Sequence, residues 1–587
     1  MTIQLFKKWF GFLKRPKEKK QKNFPSLKQL KYLNQVLSAK ERNAIRLLFL
    51  VVLVCLFFLF GRLYFSNSET VPKIGGKYTE GLVGQPKFIN PVLAVDDIDL
   101  TLTNLVFSGL LKYDQNLELQ PDLAQDFSLK PEQKEYTFCL KKNILWHNKE
   151  KLTIDDVLFT FSLVKNPTFK NPLLERLRNV QIRQVDENCL EFKLDKPSAN
   201  FWPVLTLGIL PKHIWGPISP EKFSQSEFNL KPVGSGPYKF VSLAKDKENR
   251  IKLYNLESNS KFHNRTPFIK ELNFNFYPDF EQALQGLKTK EIDGLNYSPK
   301  QLKQDLSEIA DLKYYQFNLS YYTAVFFNLR NPQDGNENNF LQEKSVRKAL
   351  AHLTPKQEIF DQVFNQQGII IHGPILPHSV FYNPEMREYA YQPQAAEDVL
   401  VLANWKKNDS GFYEKNGKIL EIALTTVDQP DFKKIAQLIQ SSWQNIGIKI
   451  KLIIIPPEQI KEVIKNRNFQ AFLYGILENY NFDQFPLWHS SQIDPPGLNL
   501  TAFNYRRSDE LLEKASLTQN QEEKKKYYNE FQQIITDNLP AIFLYNPVYG
   551  YLVHQKVKGI EVNYITHPSD RFNNIENWYI ETKRKLK

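Results

Sequence analysis

Residues Leu47-Leu48-Phe49-Leu50-Val51-Val52-Leu53-Val54-Cys55-Leu56-Phe57-Phe58-Leu59-Phe60 carry no charged or strongly polar side chain. Continued through Gly61, Arg62, Leu63, Tyr64 and Phe65, the run approaches the width of a bilayer. Arg46 and Arg62 bound it, and both can extend their charged heads to the headgroups. The charge around it is lopsided. Residues 1–46 hold 13 Lys/Arg against Glu18 and Glu41, while the remainder holds 64 basic and 62 acidic residues. A basic leader before an apolar span places the leader, residues 1–43, in the cytoplasm, the span at 44–65, and the long remainder outside the membrane. A cleaved signal peptide is the rival reading. A leader of this length exceeds an ordinary n-region, and Ser66-Asn67-Ser68 is a poor cleavage site, so the expectation is an uncleaved, single-pass anchor. Cys55 lies inside the run and reads as lipid-facing. Within the leader, Ile3, Phe6, Trp9, Phe10 and Leu13 share one helical face flanked by Lys7, Lys8 and Lys14; this suits an interfacial helix on anionic lipid, or else a basic tail without fixed structure.

The part beyond the span is nearly neutral and has no basic stripe with interleaved aromatics, which excludes nucleic acid as its expected partner. The chain has 587 residues, 42 % of them hydrophobic, enough for more than one core. Thr153 caps a predicted helix through about Val164, with Val157, Phe161 and Val164 on one face. Thr354-Pro355-Lys356-Gln357 reads as a capping box opening another. Phe280, Ala283, Leu284 and Leu287 repeat at helical spacing. Strands are predicted at 251–254, 272–277, 323–328, 420–425, 448–455 and 471–474. The pattern is mixed α/β.

Catalytic signatures are missing: the sequence holds no H-E-x-x-H, G-x-S-x-G or C-x-x-C, and its nine histidines have no metal-ligand spacing. Asp155 and Asp156 fall in a first helical turn, where the macrodipole accounts for them. Neither an enzyme activity nor a cofactor is expected. Cys139 and Cys189 each lie in a strand-like run; two buried thiols are the favoured reading, and a disulfide between them would need Cα atoms within about 7 Å. Gly234-Ser235-Gly236-Pro237 could be a phosphate cradle or a turn. Pro237 removes a donor, and the run opens into a strand rather than a helix, so it reads as a turn.

Taken in order, several short segments resemble one family. Gly75-Gly76-Lys77 with Ile89-Asn90-Pro91, Gly109-Leu110-Leu111-Lys112-Tyr113-Asp114, Leu119-Gln120-Pro121-Asp122-Leu123-Ala124, Tyr136-Thr137-Phe138, Trp146-His147-Asn148, Leu152 to Val157 and Val233-Gly234-Ser235-Gly236-Pro237-Tyr238 are similar to the ordered motifs of the family 5 extracellular solute-binding proteins, the oligopeptide and dipeptide receptors of ABC importers. Asn148-Lys149 stands where the family usually has Asp-Gly. The resemblance runs from about residue 72 to 565.

It implies a two-lobed type II periplasmic-binding-protein fold of α/β class: lobe I at 66–325, lobe II at 326–540 and a return to lobe I over 541–587. A monomer is implied that closes over an extended peptide and hands it to permease and ATPase subunits. Gly234 and Gly236 are expected to adopt backbone conformations that a side chain would oppose. The ligand-reading segment is expected at Leu473 to Asp483, continuing through Trp488 and Asn499. Peptide receptors of this type often place an aspartate there for the ligand's α-amine. Here that position is Asn479 or Asn481, and Ile476 replaces the usual tryptophan. Either Asp483 or Glu478 takes over the acidic role, or the ligand lacks a free amine. Tyr474 and Trp488 either stack on the ligand or belong to the core. A peptide sensor for a signalling partner, or a same-family receptor for a nickel chelate or a sugar, would share these motifs; His489 alone does not make a nickel site.

Overall fold

A computed structural model of the chain describes residues 37–130, 134–195, 199–297, 311–330, 339–478, 483–518 and 520–587. They fall into two units, one comprising the described part of Met1–Val71 with Thr582–Lys587, the other Pro72–Glu581.

In the first unit the apolar run forms the helix Ala39–Ser66. Ser38 and Glu41 close a reciprocal capping box at its start. None of the helix is buried, and it is long and apolar enough to cross a membrane. Immediately after it, the strand Ser68–Pro72 pairs with Thr582–Leu586. Thr582–Lys587 therefore belongs with the apolar helix rather than with lobe I, a correction to the expected boundary.

The second unit is built on two large sheets. The lobe I sheet runs, in spatial order, Tyr564–Ile565, Leu312–Leu319, Val548–His554, Gly294–Tyr297, Lys77–Val83, Glu271–Tyr277, Ile251–Ser258 and Tyr238–Lys245. The lobe II sheet runs Ile369–Ile370, Ala541–Asn546, Tyr321–Phe327, Ala471–Leu477, Glu421–Val427 and Lys449–Ile455. Tyr321–Phe327 is apolar at nearly every position because both faces are covered: Val325 and Phe327 enter one core, Tyr322, Ala324 and Phe326 another. The strands Leu312–Leu319 and Tyr321–Phe327 lie in different sheets, so the chain crosses between lobes at Ser320, not at 325. It returns at Pro547, since Ala541–Asn546 is still a lobe II strand. These two positions replace the expected boundaries.

The helices Ile154–Val164 and Phe280–Lys288 form where the periodicity puts them, the first capped reciprocally by Thr153 and Asp156. The expected box at Thr354 does not form. The Thr354 hydroxyl donates instead to Leu350 O of the preceding helix (2.8 Å), and Lys356–Phe364 starts without a side-chain cap.

A four-stranded sheet (Ala124–Leu129, Glu135–Leu140, Cys189–Lys193, Gln181–Gln184) shares the lobe I core. Its register sets Cys139 opposite Cys189, Cα to Cα 4.1 Å, and the two form a disulfide. The expectation of two thiols is thereby corrected.

Gly234 and Gly236 are indeed a turn, but for a different reason from the one expected: neither is among the glycines with positive φ. A Cβ on Gly234 would lie 2.0 Å from Val106 O, and one on Gly236 2.6 Å from Val106 C. Backbone packs directly on backbone here, and Gly236 N–H donates to Val106 O (2.8 Å). His147 completes the joint. Its N–H donates to Gly234 O (2.8 Å), and its ring meets Gly234 N (3.2 Å) and Gly236 O (3.1 Å). Burial holds this imidazole down at about 4, hence neutral at pH 7.

Candidate functional site

The two crossings lie side by side. Leu319 N–H donates to Pro547 O (3.4 Å), Ser320 N–H to Ile565 O (2.9 Å) and Glu478 N–H to Ser320 O (2.7 Å). Asn546 spans the first crossing from within the second: its Nδ2 donates to Leu319 O and to Tyr321 O, each at 2.6 Å. One amide thus holds the residues on both sides of Ser320. In lobe I, Arg571 donates to Glu80 from Nε (3.1 Å) and Nη2 (2.7 Å), while Tyr551 Oη (2.7 Å) and Tyr78 Oη (2.5 Å) donate to the other Glu80 oxygen. This buried quartet fixes the segment that supplies Ile565 and pairs a charge that would otherwise be costly.

Among the described residues, no hydrogen-bond partner meets the buried atoms Ser320 Oγ, Thr566 Oγ1, Tyr549 Oη and Glu478 Oε2. Three of these belong to the crossing or to the segment docked on it, and a buried polar atom without a partner calls for an explanation. Neither Ser320, Thr566 nor Tyr549 was singled out from sequence. No periodic or motif signal marks them, and only the meeting of strands far apart in the chain does so.

Of the residues singled out, Tyr474 is half-buried on Ala471–Leu477, its ring stacked on Phe472 (5.0 Å, 9°) and near Phe432 (6.2 Å, 21°). Gly475 follows because a Cβ there would fall 1.5 Å from Tyr321 Oη. Glu478 follows the strand and is wholly buried. Gln484 Nε2 donates to its Oε1 (2.6 Å). Burial pushes its carboxyl up to about 8, with the Gln484 amide and the Leu376 backbone pulling the other way. Asn479 and Asn481 lie outside the described residues.

Asp483 is buried and accepts Phe485 N–H (3.1 Å) at the start of the short helix Phe485–Trp488. Burial raises its carboxyl too, opposed by the Phe485 amide and by the charge of Lys524. This carboxylate already has a local amide and a nearby cation. Trp488 is 1 % exposed, packed with Phe326 and Phe543 in a lobe II core, and has no surface to offer a solute. Asn499 is fully buried and spends its amide on Trp488 O, His489 O and Phe503 O (3.0–3.2 Å) while accepting from Thr501. Trp488 and Asn499 thus have structural partners here. His489 stacks on Phe485 and bonds Ser491. Among the described residues, no group of three or more His, Cys, Asp or Glu is placed to hold a metal ion.

The model of the bacterial extracellular solute-binding proteins, family 5 middle, matches residues 118–495. The oligopeptide-binding protein AppA of Bacillus subtilis is 28 % identical over 533 residues, 88 % of this chain and 93 % of that protein. Its structure in complex with a nonapeptide superposes with a TM-score of 0.66 at 27 % identity, over 87 % of this chain and 100 % of the other. The dipeptide-binding protein of Escherichia coli is 24 % identical over 528 residues, 85 % of this chain and 93 % of that protein. NikZ of Campylobacter jejuni, solved in complex with Ni(L-His), superposes with a TM-score of 0.65 at 28 % identity, over 86 % and 99 % of the two chains.

Proposed function

Because the chain belongs to the family 5 bacterial extracellular solute-binding proteins, we propose that it captures peptides between its two lobes and delivers them to the permease and ATPase subunits of an ABC importer, held at the outer face of the membrane by Ala39–Ser66. The observation that carries the peptide reading is the end-to-end likeness to a receptor whose structure holds a nonapeptide. The crossings at Ser320 and Pro547, with unpartnered hydroxyls beside them, supply a hinge and hydrogen-bonding capacity at the base of a cleft. Closure and handover, rather than bond cleavage, are the output, and a peptide favours closure only through higher affinity for the closed form. Glu478 is the acidic group we place nearest the ligand's amine, its Oε2 being unengaged among the described residues whereas Asp483 accepts from Phe485 N–H; because Glu478 is buried and held protonated near pH 7, this pairing requires the lobes to open onto it and the acid to give up its proton.

Calorimetry on the full chain in detergent, with a mixed library of tri- to nonapeptides, tests this. Heats with free peptides and weaker binding of N-acetylated ones are expected. No heat with any peptide, beside tight binding of Ni(L-His), would replace the peptide reading with the chelate reading that the likeness to NikZ favours.

A further inference from the structure

The strand Thr582–Leu586 carries Lys583, Arg584 and Lys585, followed by Lys587, and pairs with the strand that leaves the apolar helix. Lys587 N–H donates to Asn67 O (2.8 Å). The Arg584 guanidinium lies 4.3 Å from the centroid of the Phe65 ring, and its Nη1 donates to Ser68 Oγ (3.0 Å) and to Phe65 O (3.4 Å). Phe65 is the last apolar residue of the run, so Arg584 marks the level at which hydrocarbon would give way to headgroups. Every residue of the strand is exposed. Alternation along the strand puts Leu586, 61 % exposed, on the face of Arg584, with Lys583 and Lys585 on the other. Across residues 62–71 and 582–587, five cationic side chains (Arg62, Lys583, Arg584, Lys585, Lys587) stand against a single acidic side chain, Glu69.

A solvated basic ribbon would need none of this placement. An exposed leucine, a guanidinium stacked on the final apolar side chain and lysines within one strand of it match a layer that is apolar on one side and anionic on the other. We propose that this ribbon is a docking surface for the anionic phospholipid headgroups of the leaflet from which the helix emerges. The proposal rests on the membrane reading of Ala39–Ser66. Each Lys or Arg near an anionic surface contributes about 1 kcal/mol, the attraction fading within a Debye length.

The full chain, reconstituted into nanodiscs of phosphatidylcholine alone or with phosphatidylglycerol, is acylated with a water-soluble amine reagent, and Lys583, Lys585 and Lys587 are read individually by mass spectrometry. Exposed Lys247 of the solute-binding unit serves as the internal standard. A local readout is required because the 13 cations before the helix bind anionic lipid on their own account. Acylation of the three ribbon lysines is expected to slow about fivefold in the phosphatidylglycerol discs, the factor that about 1 kcal/mol represents. High salt should restore the rate, and Arg584→Gln should reduce the protection. Equal rates in both discs, with the chain incorporated, overturn the headgroup proposal and leave the anchor standing. A chain that stays out of both discs overturns the two together.

Discussion

Replacing Glu478 by Gln tests whether the buried carboxyl beside the crossing is held neutral. Burial raises it from 4.5 to about 8. Between those values the unfolded chain has released the proton and the folded chain keeps it, so stability falls as pH rises through this window. At about 1.4 kcal/mol per pH decade the full cost reaches about 5 kcal/mol by pH 8. Tyr322 and Tyr528, the tyrosines whose charge would oppose that of Glu478, are themselves pushed well above the usual tyrosine range by burial. Gln reproduces the protonated acid: its carbonyl can accept from Gln484 and its amide can donate where an acid O–H would. The variant should match the parent at pH 5 and exceed it at pH 9. A lobe of 150–250 residues shifts 2–4 °C per kcal/mol, so the gain in unfolding temperature should be roughly 10–20 °C. The assay is circular-dichroism melting of the unliganded full chain and its variant at pH 5, 7 and 9. Comparison at each pH cancels the buried imidazoles of His147, His372 and His378, all held down at about 4. A difference that stays constant from pH 5 to 9, or a variant weaker at pH 9, would refute a neutral buried Glu478.

Intact mass with and without reductant should differ by the two hydrogens of the Cys139–Cys189 disulfide, and Cys189→Ser should cost about 4 kcal/mol on loop entropy for a separation of 50 residues. Gly234→Ala forces a methyl onto Val106 O and should cost about 3 kcal/mol, the upper end for overpacking, read from denaturant unfolding. Glu80→Gln leaves Arg571 buried beside a neutral amide; about 3–5 kcal/mol should be lost. Asp483→Asn should leave peptide affinity within about threefold in calorimetry, since a group not facing the ligand gives little. A tenfold loss would return Asp483 to the ligand.

The strands Lys449–Ile455 and Tyr321–Phe327 were legible because apolar runs of that length and composition have few alternatives. The crossing between lobes was misplaced because Leu312–Leu319 and Tyr321–Phe327 follow one another with only Ser320 between, and neither Gly nor Pro punctuates the change of sheet. Thr354 misled because its hydroxyl had a second acceptor, Leu350 O, whose position only a folded helix defines. Cys139 and Cys189 carry no register information in their own neighbourhoods, which are 50 residues apart. Motif position led to Tyr474 on the strand Ala471–Leu477 and to Glu478 just after it. It could not say that Trp488 and Asn499 turn inward, because side-chain direction there depends on packing against Phe326, Phe543 and Phe503.

The adjacency of Leu319 and Pro547 has a consequence for engineering. Residues 320–546 leave and rejoin the lobe I sheet at neighbouring backbone positions joined by a hydrogen bond. Lobe II is thus a cassette inserted into a host whose two cut ends nearly touch. A short linker across that gap would spare lobe I a long loop-closure penalty. The corresponding cassette of a relative with the same two junctions could be grafted there without rerouting any other strand, so that one lobe could be exchanged while its host is kept.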